Sequence, residues 1–207
     1  MLNTELIPAQ QEIEPRLMIV LHGLGDSMEG YRWLPAAMQL PWLSYLLVNA
    51  PDDYYGGFSW YDIDGNSGPG VERSRKLLVE LLERTAREGF APEKTVLFGF
   101  SQGCLMSLEV GVQYPNKLAG IIGVSGYVYE PNRLAKLLSP VAAQQRFLVT
   151  HGTRDSLIPI ERVRPQMEVL RQAGLKIDWH EFVKQHTIAG EEEISLIRRF
   201  VSEAFGK

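Results

Sequence analysis

Lys94-Thr95-Val96-Leu97-Phe98-Gly99-Phe100-Ser101-Gln102-Gly103 decides how this chain is read. The first half is β-branched and apolar, the composition of a strand buried on both faces. From Gln102 to about Gln113 the pattern turns helical. Ser101 sits at the corner, in a G-x-S-x-G context. The flanking glycines allow a tight strand-to-helix turn without a Cβ clash, and the turn holds the hydroxyl out at the carboxyl end of a sheet. The helix that follows would aim its free N–H groups at any negative charge forming there. A Gly-rich βα turn in an ordinary α/β domain has the same pattern, so the partners elsewhere in the chain decide.

The rest of the sequence alternates in the same way. Leu17-Met18-Ile19-Val20-Leu21 is a continuous apolar run ending in the glycine-rich loop His22-Gly23-Leu24-Gly25-Asp26-Ser27. A helix is expected next, with Tyr31, Leu34, Ala37 and Met38 on one face. Strands are predicted at 45–49, 94–100, 118–124, 146–150 and 175–183. Helices are predicted at 71–88, 102–113, 131–138 and 190–204, with one more ending near Ala173-Gly174 and starting at Pro159 or Pro165. In the 71–88 helix, Glu80/Arg84 and Glu83/Arg87 are spaced as i,i+4 ion pairs. This alternation predicts an α/β fold, a mainly parallel sheet flanked by helices. Residues 1–15, broken by Pro8 and Pro15, read as a surface lead-in to one domain spanning 16–207. The segment from Pro51 to Gly65 is long for a connection and rich in aromatics, the mark of a functional loop.

The 207 residues carry 21 Lys and Arg against 25 Asp and Glu, a net charge of −4 without a basic patch for nucleic acid. Cys104 is the only cysteine, which excludes an intrachain disulfide and a cysteine-cluster metal site. The start lacks a basic segment followed by an apolar one, and no apolar run reaches membrane-spanning length. These features predict a cytoplasmic protein with no integral membrane segment.

A serine hydroxyl needs a neutral imidazole to take its proton and a carboxylate to orient that imidazole. In parallel α/β sheets, sites form beyond the carboxyl ends of the strands. Asp155 follows the 146–150 strand, and His186 follows the last strand. Ser101, Asp155 and His186 are thus expected on one rim, in the chain order Ser, acid, His. Asp155 could instead cap the next helix, and His186 could be a plain loop histidine. His180, inside a strand, is the rival base; His22 and His151 are read as loop braces. Backbone N–H groups of Leu24 and Gln102 are the expected oxyanion donors, with side-chain identity there of little weight. Trp60 is the expected wall of an acyl groove, with Phe58, Tyr127 and Leu157 behind it.

Leu21-His22-Gly23-Leu24-Gly25-Asp26-Ser27, Gly99-Phe100-Ser101-Gln102-Gly103 and His151-Gly152-Thr153-Arg154-Asp155 together resemble the phospholipase/carboxylesterase family that includes acyl-protein thioesterases. Phe58-Ser59-Trp60-Tyr61-Asp62-Ile63 is similar to that family's aromatic-Asp-Ile loop. The resemblance runs from about residue 16 to the end. It implies a lidless α/β-hydrolase fold, no cofactor, a Ser101/Asp155/His186 triad, and Leu24 and Gln102 at the oxyanion hole. The expected substrate is an acyl ester or thioester, small or lipid-like, or an acylated protein. Two positions depart from the pattern. Gln185 stands where the family usually has Gly before the histidine, and Cys104 where it often has Gly. A non-catalytic binding module and an amide or peptide hydrolase are the competing readings.

Overall fold

The computed structural model describes residues 1–11 and 14–207. Its centre is a seven-stranded sheet built from β1 (Thr4–Ile7), β2 (Leu17–Leu21), β3 (Ser44–Val48), β6 (Thr95–Phe100), β7 (Gly120–Val124), β8 (Phe147–Gly152) and β9 (Ile177–Phe182). The spatial order is β1-β3-β2-β6-β7-β8-β9. Every neighbouring pair is parallel except β1 with β3. A separate hairpin joins β4 (Asp52–Tyr54) to β5 (Gly57–Ser59).

Side-chain alternation along β2 divides the core in two. Leu17, Ile19 and Leu21 join the layer under α2 (Ser67–Arg87), α3 (Gln102–Gln113) and α5 (Ile160–Gln172). Met18 and Val20 join the layer under α1 (Leu34–Met38) and α6 (Gly190–Ala204). A short helix, α4 (Pro131–Leu134), follows β7. Covering both faces is what makes the parallel strands read as unbroken apolar runs. The chain steps from β2 outward to β3, then returns to the other side of β2 as β6. This reversal leaves a crevice between the loops after β2 and β6. Leu24 lies in the first of these loops and Ser101 in the second.

Several expectations need correction. Residues 1–15 are not only a lead-in: Thr4–Ile7 pairs antiparallel with β3, Thr4 opposite Val48, and Leu2 is buried. A four-residue edge strand is too short for its alternation to stand out, and Pro8 ends it. Residues 12 and 13 lie outside the described residues. The segment from Met28 is a 3₁₀ turn (Met28–Tyr31) and then α1, rather than one helix. In α2 the ion pairs are Arg75–Glu72 at 2.7 Å, Lys76–Glu72 at 3.4 Å and Arg84–Glu88 at 3.8 Å, not the expected Glu80/Arg84 and Glu83/Arg87. Asn66 caps α2 by accepting from Gly68 N–H at 3.2 Å, so the helix begins at Ser67, ahead of its apolar stripe.

Candidate active site

At the β6–α3 corner Ser101 has φ 54° and ψ −115°, a conformation an L-residue holds only under constraint. Its glycine neighbours supply that constraint. A Cβ at Gly99 would overlap the Gly103 carbonyl, and one at Gly103 would overlap the Leu21 carbonyl. The turn therefore packs backbone against backbone, and only glycine fits both places.

Ser101 Oγ lies 2.9 Å from His186 Nε2. His186 Nδ1 lies 2.7 Å from Asp155 Oδ2. The carboxylate is fully buried and the imidazole is 14% exposed. The other carboxylate oxygen, Oδ1, accepts from the backbone N–H groups of Leu157 and Ile158 at 3.0 and 2.9 Å. Asp155 thus orients the histidine and also caps the start of the segment leading to α5. An acceptor carboxylate at Nδ1 places the ring proton there and leaves the Nε2 lone pair facing the hydroxyl. Such an arrangement can take a proton from Ser101 and return it to a leaving group.

The other histidines have different work. His22 is buried; Ala50 N–H donates to its Nε2 at 3.0 Å and its Nδ1 meets Gly23 O at 2.6 Å, so it braces the loop after β2. His151 Nε2 donates to Ile158 O at 2.8 Å and stands 3.5 Å from Asp155 Oδ2. Burial pushes the pKa of both rings down. His180 pairs with Asp178 at 2.9 Å, out on β9. Gln185 does not need to be glycine: its φ is not positive and its side chain is exposed. Cys104 is fully buried, and its pKa is pushed up to about 12 by burial. Gly123 and Gly126 make room for its sulfur.

A cavity of about 770 Å³ opens over Ser101 and His186. Leu24 and Gln102 line it, and neither backbone N–H finds an acceptor among the described residues. Tyr127 and Leu157 line it as expected. Trp60 and Phe58 do not. Trp60 is fully buried, with its indole N–H donating to His22 O at 2.9 Å. Phe58 is half-buried and bridges to Asp26 through its backbone. The wall is made instead by Tyr61 and Ile63, with Phe100, Ile158 and Val163. The chain bends after β5 (Gly57–Ser59), so strand alternation does not carry through to the residues that line the cavity. Phe100, the variable position inside G-x-S, is legible from that motif alone. The Gln102 side chain, expected to carry little weight, makes three buried hydrogen-bond contacts. Among the described residues no cluster of three His, Cys, Asp or Glu side chains is arranged to hold a metal ion.

The model of the Phospholipase/Carboxylesterase family matches residues 2–204. The chain is 32% identical over 155 residues to acyl-protein thioesterase 1 of Schizosaccharomyces pombe, covering 69% of each. It is 28% identical over 214 residues to acyl-protein thioesterase 1 of Gibberella zeae, covering 89% of this chain and 88% of that one. Among solved structures, esterase PE8 superposes with a TM-score of 0.87 at 26% identity, over 98% of this chain and 99% of that one. The chain belongs to the phospholipase/carboxylesterase family of α/β-hydrolase enzymes.

Proposed function

We propose that this enzyme is a serine hydrolase that cleaves carboxylic esters or thioesters of medium and long acyl chains through an acyl-enzyme intermediate. The observation that carries this reading is the pair of contacts at His186: 2.9 Å to Ser101 Oγ and 2.7 Å to Asp155. Ser101 Oγ attacks the acyl carbonyl carbon as its proton passes to His186 Nε2. The carbonyl oxygen becomes an oxyanion held by the free N–H groups of Leu24 and Gln102. Collapse breaks the bond to the alkoxide or thiolate, which leaves with the proton from the imidazolium. Water, activated by the same imidazole, then adds to the acyl-serine and releases the acid.

The apolar wall of Tyr61, Ile63, Phe100, Tyr127, Leu157 and Val163 supports an acyl chain longer than acetyl. The acyl-protein thioesterase relatives support a thioester, including one on an acylated protein, as a substrate. A fluorophosphonate probe should label the protein, and Ser101→Ala should abolish the label. Labelling that survives the substitution refutes the role of Ser101. With p-nitrophenyl esters, kcat/KM should climb from acetyl to octanoyl, each buried methylene contributing about 0.8 kcal/mol at most. Matched ester, thioester and anilide substrates of one acyl group separate this reading from amide hydrolysis. A protein that binds them all and turns over none would be a binding module.

A further inference from the structure

The segment Phe58–Tyr61 runs between the two stretches of backbone that carry the free N–H groups. On one side it is tied to the loop after β2. Gly25 N–H donates to Phe58 O, and Phe58 N–H donates to Asp26 O, both at 2.9 Å. The Trp60 indole N–H donates to His22 O at 2.9 Å. Leu24 therefore sits in a loop held on both flanks by this segment. On the other side stands the Gln102 side chain, 2% exposed. Its Oε1 accepts from Trp60 N–H at 2.9 Å and lies 3.2 Å from Ser59 Oγ; its Nε2 donates to Tyr61 O at 3.0 Å. The Ser74 hydroxyl of α2 donates to Trp60 O from behind. Trp60 thus contacts both stretches, through its indole N–H and its backbone N–H, yet stays out of the cavity.

Oxyanion donors act only within a narrow range of distance, and here they come from different segments of chain. Something must hold their separation to a fraction of an ångström. We infer that the Gln102 carboxamide and the Trp60 indole are positioning groups which, through Phe58–Tyr61, set the separation of the Leu24 and Gln102 amides. This rests on the role proposed for Ser101 as the nucleophile.

Gln102→Met tests it, because the substitution keeps the backbone N–H and the side-chain length but deletes the carboxamide bonds. With one p-nitrophenyl ester, kcat should fall about 10–100-fold while KM stays within about twofold. A trifluoromethyl ketone of the same acyl chain adds to the serine and presents an oxyanion. Its inhibition constant should weaken by the same factor as kcat/KM. The corresponding fatty alcohol, which presents none, should bind as before. Trp60→Phe, which removes the indole N–H, should shift the same quantities in the same direction, and it decides the matter if Gln102→Met fails to fold. Unchanged kcat and ketone affinity overturn the inference. So does equal weakening of ketone and alcohol, which would mean general damage to the groove. The two readings fail separately: a Ser101→Ala protein that still takes the fluorophosphonate removes the role of Ser101, whereas the ketone comparison judges the positioning groups alone.

Discussion

Ser101 is held at a positive φ that costs on the order of 1–3 kcal/mol, and the cost is met by the packing of Gly99 and Gly103 around it. A Cβ at position 101 is therefore a burden on the fold. Ser101→Gly should be more stable than Ser101→Ala by about 1 kcal/mol in urea denaturation, both being inactive. Equal midpoints would mean that the turn is not strained. The G-x-S-x-G pattern is enough to read this corner, because the backbone there admits so few residues. Cys104 and Gln185 show the opposite case. Whether each departure from the family pattern matters depends on surroundings that the local sequence does not specify, Gly123 and Gly126 for the thiol and open solvent for the amide.

The stretch between β9 and α6 carries His186, and a buried ion pair closes it. Lys184 Nζ lies 2.6 and 2.8 Å from the two carboxylate oxygens of Glu193, and Ala189 N–H donates to the same carboxylate at 2.6 Å. Both side chains are almost wholly excluded from water. The Lys184 carbonyl accepts from Arg154 N–H at 3.0 Å, which ties this loop to the one holding Asp155. Removing one partner strands a buried charge. Glu193→Leu or Lys184→Met alone should cost about 3–5 kcal/mol, whereas the double variant should recover most of that stability. Chemical denaturation of the four proteins checks this, and additive losses would sink it. In the sequence Glu193 is only one acidic residue among three favouring the start of α6, and nothing local marks Lys184. The pair becomes visible only once β9 and α6 are folded together. At this same scale the long helices are readable to within a few residues, since their apolar stripes repeat over several turns. The edge strand β1 and the β4–β5 hairpin, with strands of three or four residues, are not.

Across the whole molecule, His22 and His151 are buried with their pKa values lowered from 6.5. The unfolded chain binds protons at these rings over a range where the fold does not. The contribution of these two rings to stability therefore rises with pH across the window between the lowered folded values and 6.5, and is lost as pH drops below 6.5. The urea midpoint should be lower at pH 5 than at pH 7, and unfolding near pH 5.5 should take up protons. A midpoint flat across that interval would contradict the burial of both rings in neutral form. Glu181 acts in a separate, more acidic window. Its Arg164 partner and the Trp179 N–H hold its carboxyl at about 2, so its contribution is full above 4.5 and is lost as pH falls toward 2. The amino-acid sequence by itself determined the alternation of strands and helices, the side of the sheet on which the site forms, and the residue types that meet there. Periodicity and backbone permissiveness are local properties, written in consecutive residues. Only the tertiary structure decided which aromatics face the cavity, that residues 4–7 join the sheet, and that Gln102 grips Phe58–Tyr61. Each of these is a contact between segments that the chain keeps far apart until the sheet has assembled.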